Sequence, residues 1–213
     1  MSGKRTINLS GLALWLSIFT AGMGLFSTAA SAAEVTRPVI LGGLAFGGDT
    51  LVDTSDSDLD AGGLLYFGVG LIHVPVNSPL MYQFSLGYKF DTVNFYVPSG
   101  GTVFPGLGFI PGGTGGDSKI TTWPLDAMAF YKTGNLRFGL GLTYYMNPKW
   151  ETCFDYTGCS TYNFDDALGV SFELRHQWTD ILFWGARYTD VEYDWGSSTA
   201  DASNLRIHFG MIF

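Results

Sequence analysis

Asn204-Leu205-Arg206-Ile207-His208-Phe209-Gly210-Met211-Ile212-Phe213 closes this 213-residue chain, and its alternation decides how the rest is read. Leu205, Ile207, Phe209, Met211 and Phe213 are apolar; Asn204, Arg206, His208, Gly210 and Ile212 between them are mostly polar or small. Successive side chains of a strand point to opposite faces, so this segment, folded as a strand, has one apolar face and one wet face. A soluble sheet can carry such a strand. Its place at the C-terminal end, behind the segment found at the other end, points to lipid as the solvent for the apolar face.

That other segment has the make-up of a secretory leader. Lys4 and Arg5 form a basic start, Leu12 to Phe26 an apolar run, and Ala30-Ser31-Ala32 a small-x-small cleavage motif. A signal peptide over residues 1–32 is expected, with one mature domain over 33–213. The apolar run falls short of the ~20 residues that a bilayer-spanning helix needs. The net charge is −8, and loss of Lys4 and Arg5 with the leader takes it to −10. An acidic chain with few basic clusters argues against nucleic acid as a partner. The two cysteines, Cys153 and Cys159, form a close pair that should be a disulfide in an exported protein. No cofactor is called for.

Alternation recurs along the chain. Tyr82, Phe84, Leu86, Tyr88 and Phe90 oppose Gln83, Ser85, Gly87, Lys89 and Asp91. Leu136, Phe138, Leu140, Leu142 and Tyr144 oppose Arg137, Gly139, Gly141 and Thr143. Leu168, Val170, Phe172 and Leu174 oppose Gly169, Ser171, Glu173 and Arg175, and Leu182, Trp184, Ala186 and Tyr188 oppose Gly185, Arg187 and Thr189. Earlier strands are placed near 38–46, 63–73 and 120–131. The last of these has Trp123, Leu125, Ala127 and Ala129 outward and Asp126 inward, with a bulge or break expected at Pro124. This makes eight strands.

Connections alternate in length: short at 75–79, 132–135 and 177–180, long at about 48–62, 92–118, 146–163 and 190–203. Tyr82, Tyr131 and Trp178 flank the short turns; Tyr88, Trp123, Tyr144, Tyr188 and Trp195 lie near the long loops. Short turns on one side, long loops on the other and two aromatic rows are the pattern of an outer-membrane barrel. The expected fold is all-β: an eight-stranded, antiparallel, up-and-down transmembrane β-barrel, with loops extracellular and both termini periplasmic. Its surroundings would be outer-membrane lipid and lipopolysaccharide.

On these residues the mature chain resembles the small eight-stranded outer-membrane barrels, the OmpA, OmpX and OmpW-like group. The resemblance implies that the terminal Phe209, Met211 and Phe213 are read by the outer-membrane assembly machinery. No peptidoglycan-binding domain is expected after the barrel. Small barrels of this kind that act on lipid A use a His-x-Ser pair with a carboxylate, or His, Asp and Ser near the outer rim. Here His73, His176 and His208 are not followed by Ser at the second position, and none is expected at that rim. The resemblance therefore implies a protein that is not an enzyme.

An eight-stranded barrel has an interior just wide enough for side chains to fill. The inward set contains Lys89, Arg137, Arg175, Arg187 and Arg206, against Asp91, Asp126 and Glu173. These are expected to form a lumen ion-pair network, with a loop carboxylate or a misassigned face accounting for the excess of bases. A narrow path for small hydrophobic or ionic solutes is the alternative, and a lipid A-modifying enzyme the third. In the first loop Asp56, Asp58 and Asp60 resemble the start of a calcium loop, but Phe67 stands where the bidentate Glu would be needed, which excludes an EF-hand. Those carboxylates could still share cations with lipopolysaccharide phosphates, or be a plain solvated loop. The second loop, with Tyr96, Val97, Val103, Phe104, Leu107 and Phe109 among glycines and prolines, is an apolar patch suited to folding over the barrel mouth or meeting a surface partner.

Overall fold

The computed structural model describes residues 35–53, 58–97, 102–104, 108–110, 112–155, 158–196 and 198–213. The leader expected over 1–32 lies outside the described residues. Eight long strands make the wall: β1 (Val35–Phe46), β2 (Leu65–Val74), β3 (Leu80–Tyr96), β4 (Gly115–Thr133), β5 (Leu136–Phe154), β6 (Ala167–Gln177), β7 (Leu182–Asp190) and β8 (Asn204–Ile212). Each pairs antiparallel with the next along the chain. β8 then returns to β1, from Val39↔Ile212 to Phe46↔Leu205, and closes the ring. Closure leaves the wall without an edge that hydrocarbon could not hydrogen-bond.

Facing follows sequence parity. Phe67, Val69, Phe138, Leu140, Phe172 and Phe209 point outward and are each more than half exposed. Their neighbours Tyr66, Gly139, Gly141, Glu173 and His208 point inward. An apolar band of this extent around the whole wall is not left to water by a soluble protein. Lipid is its solvent, and the fold is a transmembrane β-barrel.

Several strands run on past the membrane, which shortens the expected long loops. β3 and β4 stay paired through Thr92↔Lys119 to Tyr96↔Gly115, and β5 continues to Phe154. Beyond Asp91 the polarity of the two faces inverts while their direction does not. Below, inward positions are Gln83, Ser85 and Lys89; above, they are Val93, Phe95 and Val97, all buried. Val191 and Tyr193 repeat the inversion after β7, with Asp190, Glu192 and Asp194 outward. Outside lipid, water wets the outer face and the apolar side turns in.

β5 achieves the same inversion by a bulge. Its register with β4 shifts between Thr121 and Trp123, opposite Met146 to Lys149. The extra residue is Asn147, at φ 50°, which asparagine tolerates better than most residues. Asp166 braces the bulge: Oδ1 accepts from Asn147 N at 2.7 Å and Oδ2 from the Tyr144 hydroxyl at 3.0 Å. One inserted residue reverses parity, so Trp150 and Phe154 turn inward and bury. The break expected at Pro124 lies on its β3 side, where pairing passes from Leu86↔Leu125 to Lys89↔Thr122 without Trp123 or Pro124; the bulge is a second irregularity, on β5.

Candidate functional site: the lumen and its loop cap

The buried inward side chains lie in three layers. At the turn end Val39, Leu41, Ile72, Met81, Met128, Phe130, Phe183 and Ile212 form one apolar cluster, with Tyr66 at its upper limit. Glycines on neighbouring strands make room for its rings. A Cβ on Gly210 would collide with the Phe183 ring, and one on Gly68 or Gly87 with Tyr66. The dense glycine of the inward face is thus a consequence of large rings lying across adjacent strands.

At the loop end a second cluster caps the lumen. Trp150, Phe154, Phe95, Phe164, Tyr145 and Tyr193 belong to it, with Leu51, Leu59, Val97 and Val191. Trp150 stacks on Tyr162 at 5.1 Å and donates Nε1–H to Ser118 Oγ at 2.7 Å; Tyr162 meets Trp195 edge-on at 4.9 Å. Three loops contribute hairpins: Thr50–Asp53 with Asp58–Asp60, Gly158–Asn163 along β5, and Glu192–Trp195 with Ser198–Asp201. Cys153 and Cys159 face one another in the second of these and are joined by a disulfide. The second loop sends Phe95 and Val97 into the cap. Its tip pairs Thr102–Phe104 with Gly108–Ile110, while Leu107 lies outside the described residues.

Between the two clusters lies a buried polar belt. Hydroxyls run around it strand by strand. Ser85 Oγ donates to Asp126 Oδ2 at 3.2 Å, Thr143 Oγ1 to Asp126 Oδ1 at 2.8 Å, and Thr143–Ser171 and Ser171–Thr189 follow at 2.8 and 2.9 Å. The Tyr66 hydroxyl also reaches Asp126, at 3.3 Å. Glu173 is the second hub. It accepts from Arg175 Nε at 2.8 Å, Arg187 Nε at 2.7 Å, and lies 3.1 Å from His208 Nε2. Arg187 bridges the hubs, with Nη1 2.7 Å from Asp126 and Nη2 2.6 Å from Glu173. These terminal nitrogens are ion contacts; the Nε bond alone has hydrogen-bond alignment among the Arg187 donors. Arg206 Nη2 stands 3.6 Å from Asp126.

Of the eight charged residues expected in the network, Asp126, Glu173, Arg175, Arg187 and Arg206 come together. Lys89, Asp91 and Arg137 share the inward face but make no ion pair among the described residues. Arg137 sits at the turn end, half-buried, with Nη1 donating to Met81 Sδ at 3.4 Å. Asp91 accepts from the Thr92 amide at 2.7 Å. Lys89 Nζ is buried. Among the described residues no loop carboxylate pairs with the excess bases, and the inward facing of Lys89, Arg175, Arg187 and Arg206 stands. Aromatic faces take part of the excess. Arg175 lies between Phe130 and Phe183, 4.2 and 4.0 Å from their centroids, and Arg206 lies 3.7 Å over Tyr66. Tyr66, Gln83, Ser171 and His208 were not singled out by charge; inward parity alone marks them.

Outside the belt, Phe209, Met211 and Phe213 face outward, exposed. Of the proposed cation ligands, Asp56 lies outside the described residues, Asp58 is described in backbone only, and Asp60 accepts from Thr50 Oγ1 at 3.2 Å. His73 is at the turn end, 3.0 Å from Thr36 Oγ1.

No protein-family model matches the chain, and no curated protein matches it. Among solved structures it is similar to Ail, the attachment invasion locus protein of Yersinia pestis in complex with the heparin analogue sucrose octasulfate, at 11% identity and TM-score 0.46, covering 85% of this chain and 100% of that one. It is also similar to Neisserial surface protein A at 12% and 0.44, covering 85% and 100%. A major outer membrane protein from Thermus thermophilus gives 10% and 0.47, covering 84% and 100%.

Proposed function

We propose that this chain is an outer-membrane wall protein whose barrel is a closed, non-conducting support for a folded, acidic loop head. On this reading residues 1–32 direct export, the loops face the cell exterior and both chain ends lie in the periplasm. Phe209, Met211 and Phe213 would be the signal read by the assembly machinery, and lipopolysaccharide would surround the upper belt. The head would serve envelope integrity or surface contact, with no catalytic step: no histidine of the chain is followed by serine at the second position.

The observation that carries this reading is the layering of the lumen, a buried ion-pair belt held between two apolar clusters. A solute crossing it would have to displace Phe130 and Phe183, break the Asp126–Arg187–Glu173 bridge, and then part the Trp150–Tyr193 cap. Breaking a buried pair alone costs about 3–5 kcal/mol. Purified protein in a planar bilayer is therefore expected to give no discrete current steps. Steady, reproducible unitary steps would make the barrel a narrow channel instead.

A further inference from the structure

The outer face of the loop head carries a compact set of metal-ligating groups. Cys153 Sγ, Cys159 Sγ and a carboxylate oxygen of Glu151 all lie within 4.8 Å of one another. Strand geometry brings them together. Glu151 and Cys153 are two residues apart on β5, beyond the bulge, and so share a face, while Trp150, Thr152 and Phe154 between and beside them are buried. Cys159 stands directly across from Cys153 in the hairpin that runs back along β5. Glu151 is itself held. Its Oε2 lies 3.0 Å from Lys149 Nζ, and its other oxygen, Oε1, lies 4.0 Å from Cys153 Sγ.

The backbone keeps these groups in place independently of the disulfide. Gly158–Asn163 pairs along its whole length with Lys149–Phe154. β5 is the middle strand here, because Cys153 also pairs with Asp117 of β4 on its other side. On the inner face the Trp150–Tyr162 stack and the Tyr162–Trp195 contact clamp the same hairpin. Opening the S–S bond therefore leaves both sulfurs and the Glu151 carboxylate on one surface. Cys159 is exposed, so a small thiol reaches the bond from solvent.

We propose that the reduced head is a surface site for one zinc-class divalent cation, held by Cys153, Cys159 and Glu151. Two molecules of a low-molecular-weight thiol supply the two electrons and two hydrogens. The S–S bond of the protein breaks, an S–S bond forms between the two reductant sulfurs, and Cys153 and Cys159 are left as thiols. The cation then takes both sulfurs as thiolates and releases their two protons. Two thiolates on a tetrahedral zinc, each at ~2.3 Å, stand roughly 3.8 Å apart. Rotation about the two Cα–Cβ bonds provides that separation with the strands unmoved. Two sulfurs and one carboxylate leave the fourth position to water. Thiolates select zinc over the calcium and magnesium that oxygen ligands alone would take. In the oxidised head the sulfurs are bonded to each other, so redox state gates the site. The inference goes beyond the supporting role above and does not depend on what the loops contact.

The test uses the full folded protein in detergent micelles, reduced with dithiothreitol and freed of it under argon. Competition against a chromophoric chelator should show one zinc held per reduced chain and none per oxidised chain. Cadmium, as a spectroscopic substitute, should give a thiolate charge-transfer band in the ultraviolet in the reduced form alone. Cys159→Ser should abolish the band and the zinc uptake. Glu151→Gln keeps the thiols and should weaken zinc binding by about tenfold or more. The near-ultraviolet signal of Trp150 and Trp195 should survive reduction. Equal zinc uptake by reduced and oxidised protein would overturn the proposal in favour of the acidic surface alone. No uptake by the reduced protein, or loss of its aromatic signal, would overturn it because the ladder would then not hold the sulfurs. Binding by Glu151→Gln as tight as by wild type would overturn the three-ligand site in favour of a thiol pair.

Discussion

Glu173 is the residue on which the belt turns. Its two oxygens meet Arg175, Arg187 and His208, all buried. Removing the carboxylate leaves three donor groups facing each other with nothing between them, the situation in which a lost partner costs about 3–5 kcal/mol. Glu173→Ala should lower the stability measured by urea titration in detergent by that amount. Glu173→Gln keeps an acceptor of the same shape and should lose less. Arg137→Ala should change stability by about 0.5 kcal/mol or less, because Arg137 is half-buried and makes no ion pair among the described residues. An equal loss in Glu173→Ala and Arg137→Ala would mean that lumen charges contribute through side-chain packing and not through pairing.

Among the elements, those wholly in the membrane were legible and those crossing out of it were not. Tyr82 to Phe90, Leu136 to Tyr144 and Leu205 to Phe213 alternate cleanly, because one side meets acyl chains throughout. The continuations of β3, β4 and β5 look like loop in the sequence because the apolar side changes faces where the solvent changes. Phe95 and Trp150 look out of register with the lipid-facing residues before them, yet they extend the same strands. The belt was partly legible: charge marked Asp126 and Glu173, but nothing in a single strand tells that Lys89 lacks the partner Arg187 finds. Pro124 marks the break in its pairing with β3, whereas no residue pattern in β5 marks the bulge at Asn147. That bulge makes an expected outcome specific. Deleting Asn147 and Pro148 together joins Met146 to Lys149 and turns Trp150 and Phe154 outward and Lys149 and Glu151 inward, whereas deleting Asn147 alone removes the extra residue and leaves Trp150 and Phe154 inward. The double deletion should take the cap apart, with faster proteolysis over 155–166, while the barrel keeps its resistance to unfolding in cold SDS; the single deletion should leave proteolysis unchanged. Unchanged proteolysis in the double deletion would mean that the cap does not depend on the parity switch.

At the scale of the whole molecule, the cap and the belt are separate cores joined by continuous strands, and they should fail separately. The cap is held chiefly by aromatic packing, whereas the barrel is held by a closed hydrogen-bond ring and by lipid. Tyr193, in the fourth-loop hairpin, is the cap's titratable weak point: burial first, and then Tyr145, push its phenol well above the usual 10.0. A raised value means that the folded cap favours the neutral phenol. Its contribution is complete below pH about 10 and is lost as pH rises toward the folded value. Above pH 10 the near-ultraviolet signal of Trp150 and Trp195 should therefore change while far-ultraviolet strand content and SDS resistance persist. Tyr193→Phe forgoes one hydroxyl hydrogen bond, worth about 1 kcal/mol, yet has no phenol to ionise. Its cap should survive to higher pH than that of wild type, though less stable at neutrality. If aromatic signal and strand content disappear together in both proteins, the loop head and the wall form one cooperative unit. A head coupled that tightly to its wall could pass the effect of a surface contact into the lumen, which two independent cores would not allow.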